Sequence, residues 1–449
     1  MRGRHQGTAT LPLHGGRCPA WLFPRMQALA GEIVEAIVVE FGPVEVLRRL
    51  ADPYWFQALG SVLGFDWHSS GVTTTVCGAL KEALRRRGPE LGIFVAGGKG
   101  ATSRQTPREV EEMVSRYALA ADAGSLVRAS RLAAKVDNTA IQDGFQIYHH
   151  TFIFTRDGQW AVVQQGMNGE TGWARRYHWL STADAPVMDF TCEPEAAVCC
   201  DQVTSPLNLV AREGGINRQA SVELVREKPE RLLRHYGRIL ADVARLPAPP
   251  PSQSSTAADA AATGVGWGAA ALRTQAPRAV QLSLAWQGAK GPVRREAGPP
   301  GAVPAAGQEM DPQEFPPGEA DARRLQRLRS LWLPAAHAVP QAQHLERVLL
   351  DLYSQPPQDF TSLLARPGVG PRTLRALALM AEVIYGAPAS FRDPVRYSFA
   401  HGGKDGTPFP VDRPLYDRSI ETLRRALEMA HIGRTDKIEA FRRLAKYEP

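Results

Sequence analysis

Three clusters in the first half of the chain combine side chains that bind metals, move protons or hold phosphate. Asp66-Trp67-His68-Ser69-Ser70 precedes a helical stretch; Asp66 and His68 can act there as metal ligand or general base, or Asp66 and the serines can simply cap the helix. Gly97-Gly98-Lys99-Gly100-Ala101-Thr102-Ser103-Arg104 follows an apolar run. Such a glycine loop, with Lys99, Arg104 and two hydroxyls, can hold a phosphate or a scissile diester or lie solvated, but its residue order is not that of a Walker loop.

The richest cluster runs from Lys135-Val136-Asp137-Asn138 through Gln142-Asp143-Gly144 to Tyr148-His149-His150 and Gln164-Gln165-Gly166. Neighbours on a strand face opposite ways, so only one of the two histidines joins a given site unless a bulge intervenes. A two-residue turn at Asp157-Gly158 pairs Arg156 with Gln159 and places His150 opposite Gln165. His150, Gln165 and Asp143 then form a candidate catalytic site, with Asp143 and His150 as ligands for Mg²⁺ or Mn²⁺. The Asp…Glu-x-Lys pattern of restriction-like nucleases is absent, and Gln165 stands where a carboxylate is expected. Polar side chains satisfied within a sheet are the alternative. Trp173-Ala174-Arg175-Arg176-Tyr177-His178-Trp179 interleaves cations with aromatics, as a groove for single-stranded nucleic acid does, or as a surface loop with packed aromatics.

A different chemistry is written between 359 and 386. Phe360 to Ala365 has helical spacing, Pro367-Gly368-Val369-Gly370 makes a tight turn, and Pro371 opens a second helix. Glycines let the backbone approach a phosphate closely, and the unpaired N–H groups of the new helix point at it. Leu363, Leu364, Val369, Leu374 and Leu377 are placed to pack the two helices together. The segment resembles the helix-hairpin-helix of DNA repair glycosylases, nucleases and recombination proteins. That resemblance implies contact with the DNA backbone, without reading of base sequence, through Gly368, Val369, Gly370, Arg372, Thr373 and Arg375. No cysteine follows Cys200 to hold the iron–sulfur cluster that often accompanies the element in glycosylases.

The elements that position these groups fall in two parts. Apolar spacing predicts helices over Met26 to Phe41, Val44 to Leu50 and Thr73 to Arg86, and a further helix after the Asp52-Pro53 cap. It predicts a strand over Leu91 to Ala96, a capping box at Thr106-Pro107-Arg108-Glu109, and a hairpin of strands Phe145 to Thr155 and Gln159 to Met167. Residues 1–246 are therefore expected to form a mixed α and β domain. Residues 247–320, rich in Pro, Ala, Gly, Gln and Ser, are expected to be a disordered linker. Residues 321–449 are expected to be all-α, with helices over Arg323 to Leu333, Gln341 to Tyr353, Phe360 to Ala365, Pro371 to Tyr385, Tyr416 to Ala430 and Lys437 to Tyr447.

The net charge of +7 is concentrated late: residues 321–449 carry 20 Lys and Arg against 14 Asp and Glu, which favours a polyanionic partner. Five cysteines without Cys-x-x-Cys spacing are expected to be reduced, and no stretch has the length of a secretory signal or a membrane span, so a cytoplasmic protein is expected. Leu11-Pro12-Leu13-His14-Gly15-Gly16, Gly64-Phe65-Asp66-Trp67-His68-Ser69-Ser70-Gly71, Phe94-Val95-Ala96-Gly97-Gly98-Lys99-Gly100 and Val163-Gln164-Gln165-Gly166-Met167-Asn168 resemble domain-of-unknown-function family 763, a likeness that implies no activity. The residues themselves leave two functions open: a metal-dependent DNA nuclease of repair or recombination, or a non-catalytic DNA-binding protein that recruits partners. An enzyme handling a small phosphorylated substrate at Gly97 to Gly100 is a more distant third.

Overall fold

Apolar side chains at Met26, Leu29, Ile33, Val34 and Ile37 bury one face of α1 (Leu22–Phe41), which ends at Gly42 as its sequence predicts. The computed structural model describes residues 18, 20–65, 70–169, 171–200, 204–244, 342–395, 413–430 and 433–444. Helices α2 (Pro43–Ala51), α3 (Pro53–Val62) and α4 (Gly71–Leu91) follow. Asp52 caps α3 as expected, its carboxylate accepting the Tyr54 and Trp55 N–H groups at 2.8 and 3.1 Å.

Strand β1 (Ile93–Lys99) begins two residues later than predicted and runs on through both glycines to Lys99. The expected capping box at Thr106 does not form. Thr106 is already helical in α5 (Thr106–Arg116) and donates its hydroxyl to Ser103 O. Glu109 reaches away instead, accepting Gly97 N–H at 2.6 Å and pairing with Lys81 at 2.7 Å. Helix α6 (Ala123–Lys135) then leads through a π-helical turn, Val136–Ala140, into the short β2 (Ile141–Gln142).

Strands β3 (Gln146–Thr155), β4 (Trp160–Asn168), β5 (Trp173–Ser181) and β6 (Ala197–Cys199) complete an antiparallel sheet in the order β1-β3-β4-β5-β6. The β3–β4 loop corrects the predicted register. It has three residues, Arg156, Asp157 and Gly158, with Gly158 at φ +89° and Thr155 paired with Gln159. A glycine in the left-handed region closes this type of loop. One residue more in the turn moves every pairing by one, so His150 faces Gln164, and His149 faces Gln165. A bulge at Tyr148 leaves the two histidines on opposite faces.

Trp173 to Trp179, weighed above as an exposed groove, is an inner strand with Arg175, Arg176, Tyr177, His178 and Trp179 all buried. After β7 (Leu207–Asn208), which pairs with β2, come α7 (Gly215–Leu224), α8 (Pro229–Ala244), α9 (Ala342–Ser354), α10 (Phe360–Ala365), α11 (Pro371–Tyr385), α12 (Arg413–Met429) and α13 (Arg434–Leu444). The helix predicted over Arg323 to Leu333 lies outside the described residues.

The sheet has a core on each face. One holds Phe94, Phe152, Phe154, Val162 and Trp179, and α9 to α11 contribute Leu345, Leu349, Leu363 and Leu377 to it. The other holds Val95, Ile153, Ala161 and Val163 with α1 to α4, and receives Leu423, Leu427 and Leu444 from α12 and α13. The helices after 341 thus have no core separate from that of the sheet. The architecture is mixed α and β, and no helix among the described residues is long and apolar enough to cross a membrane.

Candidate nucleic-acid interface

Asp359 starts the hairpin. Its carboxylate accepts Ser362 N–H at 2.6 Å while Ser362 Oγ accepts Asp359 N–H at 3.0 Å, a reciprocal cap that begins α10. Gly368 turns the chain at φ +82°, and Pro371 opens α11. Leu363, Leu364, Val369, Leu374 and Leu377 are all buried between the helices, in the arrangement their spacing predicts. The first bond inside α11 is Leu374 N–H to Gly370 O, 3.1 Å, and no side chain caps the turn before it. The amides of Arg372 and Thr373 therefore have no acceptor within the helix.

Of the six residues expected to meet DNA, Gly368 and Arg372 are exposed, Gly370 is half-buried, and Val369 and Thr373 are buried. Arg375 is a correction: it is 2% exposed, and its Nε and Nη2 donate to Gln142 Oε1 at 3.0 and 2.6 Å. Its place on the inner face of α11 makes it a clamp rather than a phosphate contact. Burial, with the Arg372 charge adding to it, pushes its pKa down to about 9. Gln142 Nε2 donates to Pro371 O at 2.8 Å, and Lys135 Nζ donates to Arg366 O at 2.8 Å. The hairpin is thus tied to α6 and β2, and between it and the segment that leads from the π-helical turn into β3 lies a groove of about 340 Å³ lined by Asn138, Gly144, Gln146, Gly370, Arg372 and Thr373, with Asp143 also on its wall.

Asp143 is committed elsewhere. Its carboxylate pairs with Arg175 at 2.9 Å, accepts the Tyr177 hydroxyl at 2.6 Å and accepts Phe145 N–H at 3.0 Å. Burial raises its pKa, while Arg175 and Tyr177 oppose that shift. Arg175, despite its burial, is held cationic by Asp143, Tyr177 and Asp393, the last at 2.9 Å. His150 is committed as well. Gln164 uses its amide nitrogen on Ala133 O and Asp137, so its Oε1, 2.8 Å from Nδ1, must accept; Nε2 then accepts from Ser130 Oγ at 2.9 Å. Burial lowers the His150 pKa and keeps the ring neutral. Asp137 is held well above the usual carboxylate range by burial and by neighbouring Glu195.

The predicted meeting of His150 with Gln165 does not occur. A row the residue pattern missed runs across the other face: Lys99, His149, Gln165 and Arg176 sit opposite one another on β1, β3, β4 and β5. Lys99 is exposed, 5.9 Å above the Tyr148 ring, and Tyr148 accepts from Gln165 Nε2 at 2.5 Å. Gln165 Oε1 and His149 Nδ1 are buried without a partner. Burial, followed by His150 and Lys99, drives the His149 pKa down to about 3. Asp66 and His68 fall outside the described residues. Among the described residues no three His, Cys, Asp or Glu converge as metal ligands.

A family described as a protein of unknown function, DUF763, matches residues 7–411. The chain belongs to this family. The match takes in both the segment leading into β3 and the hairpin of this DUF763 member, the two walls of its groove. No curated protein and no solved structure matches the chain.

Proposed function

We propose that this DUF763 protein binds the backbone of DNA at the α10–α11 hairpin, without reading base sequence, as part of DNA repair or recombination. Gly370 carries the reading. Its φ of −121° is open to any residue, and a Cβ there would meet no atom of the chain within 4 Å. Neither backbone conformation nor packing asks for glycine, whereas a phosphate approaching the amides of Arg372 and Thr373 does. Arg372 supplies an exposed cation at the same turn. The deciding measurement is anisotropy of labelled DNA across a salt series. Binding that weakens steeply with salt and is lost in Gly370→Asp supports the reading, and salt-independent or Gly370-independent binding refutes it.

A divalent metal does not fit Asp143 and His150 as ligands. The carboxylate is taken up by Arg175 and Tyr177, and both ring nitrogens by Ser130 and Gln164. The geometry therefore favours binding without turnover at that pair, with recruitment of partners as the protein's contribution. Nuclease activity remains a second reading because the Lys99 row holds the unpartnered Gln165 Oε1 and His149 Nδ1. Incubating single-stranded, duplex, flap and four-way DNA with Mn²⁺, Mg²⁺ or EDTA separates the two: products appear only under the second.

A further inference from the structure

We propose that the groove between the hairpin and the segment leading into β3 takes one unpaired DNA strand, with the Thr373 hydroxyl donating to its phosphate. This rests on the hairpin reading and narrows it to a substrate class. The independent observation is Thr373 itself: 1% exposed, on the groove wall, with Oγ1 buried and unpartnered. A buried hydroxyl without a partner is costly, and a phosphate oxygen seated between the amides of Arg372 and Thr373 supplies that partner.

The opposite wall makes the selection. It is held by Phe145 N–H on Asp143 Oδ1 at 3.0 Å and Ile147 N–H on Asn138 Oδ1 at 2.9 Å, and the hairpin is fixed against it by Gln142 and Lys135. The width is thus set before any ligand arrives. About 340 Å³ is the low end of what encloses a single small ligand, enough for one nucleotide. A duplex offers its phosphates on a convex surface, and its second strand cannot follow the first into a recess walled on both sides. The Asp143 carboxylate on that wall is already paired with Arg175. Asn138 and Gln146, both exposed on the wall facing the hairpin, provide amides for the sugar or base.

The test measures a labelled dT12 strand and the same strand in a dT12/dA12 duplex at one fixed salt concentration, on the full chain. Expected are a dT12 affinity about tenfold or more above the duplex and a further loss of about tenfold on dT12 in Thr373→Val, as for one hydrogen bond to a charged group, with Thr373→Ser retaining affinity. Thr373→Val removes an unsatisfied hydroxyl and keeps the shape, so its melting temperature equals or exceeds that of the wild type and misfolding cannot mimic the loss. Equal or tighter duplex binding, or a dT12 affinity indifferent to Thr373→Val, overturns the inference. If Gly370→Asp still abolishes binding in that case, the hairpin reading survives alone; if neither DNA form binds the wild type, both fall.

Discussion

Replacing Asp143 by Asn separates a structural carboxylate from a functional one. The Asp143 side chain is 1% exposed and faces Arg175, which is fully buried. Removing one partner of a buried ion pair costs about 3–5 kcal/mol, because the other charge is left in a medium that cannot solvate it. Here Arg175 keeps Asp393 at 2.9 Å, and an Asn oxygen still accepts from Tyr177, so the lower end applies, about 3 kcal/mol. With a urea m-value of about 3 kcal/mol/M, the unfolding midpoint falls by roughly 1 M. Below that midpoint the variant keeps salt-sensitive DNA binding at the hairpin, although the opposite wall, which the carboxylate holds through Phe145 N–H, is loosened. An unchanged midpoint together with lost binding, or with lost metal-dependent cleavage, refutes the argument and returns Asp143 to the chemistry.

Three further outcomes follow from the geometry. Gly370→Ala stays within about 1 kcal/mol of wild-type stability, the cost of alanine at a helix cap, yet lowers DNA affinity roughly tenfold or more, read by denaturation and anisotropy on the same preparation. His149, depressed to about 3 in the fold, contributes stability that is complete above its unfolded pKa of about 6.5 and is lost as pH falls below it. The stability difference between wild type and His149→Gln should therefore shrink by about 1.4 kcal/mol per pH unit from pH 6 to 4, and a constant difference in urea titrations at these pH values counts against a buried neutral ring. Gly97→Ala places a Cβ 2.2 Å from His150 O at φ +89° and should cost more than about 2 kcal/mol, visible as a lowered melting temperature.

How legible each part was in the sequence depended on how local its cause is. The hairpin was readable because the Asp359 cap, Gly368, Pro371 and the leucine spacing act within a dozen residues. The β3–β4 register was not, since Asp157-Gly158 fits loops of two or three residues and only the paired strands decide between them. Arg375 was misjudged because its partner Gln142 lies 233 positions away. The same holds for the Trp173–Trp179 stretch. Arg175 is paired with Asp393, 218 residues on, and Arg176 donates to the neutral Gln57 amide, 119 residues back, so two adjacent cations looked like surface. Of the wall facing the hairpin, Asn138 and Gly144 were read as part of the richest cluster and Phe145 as the start of a strand, but nothing local told that they would face the hairpin.

The apolar stripes of the late helices promised burial without saying against what, and the answer governs how the protein is made and how it comes apart. Each face of the sheet is finished by residues after 341, so on the ribosome the strands emerge against α1 to α4 on one side and α5 and α6 on the other, with the rest of both apolar cores uncovered until the last helices are synthesised. A protease cut between 246 and 341 would for the same reason release nothing. The two fragments would travel as a single particle, held by interdigitated leucines and by the Arg175–Asp393 pair, and the hairpin would remain seated beside its groove.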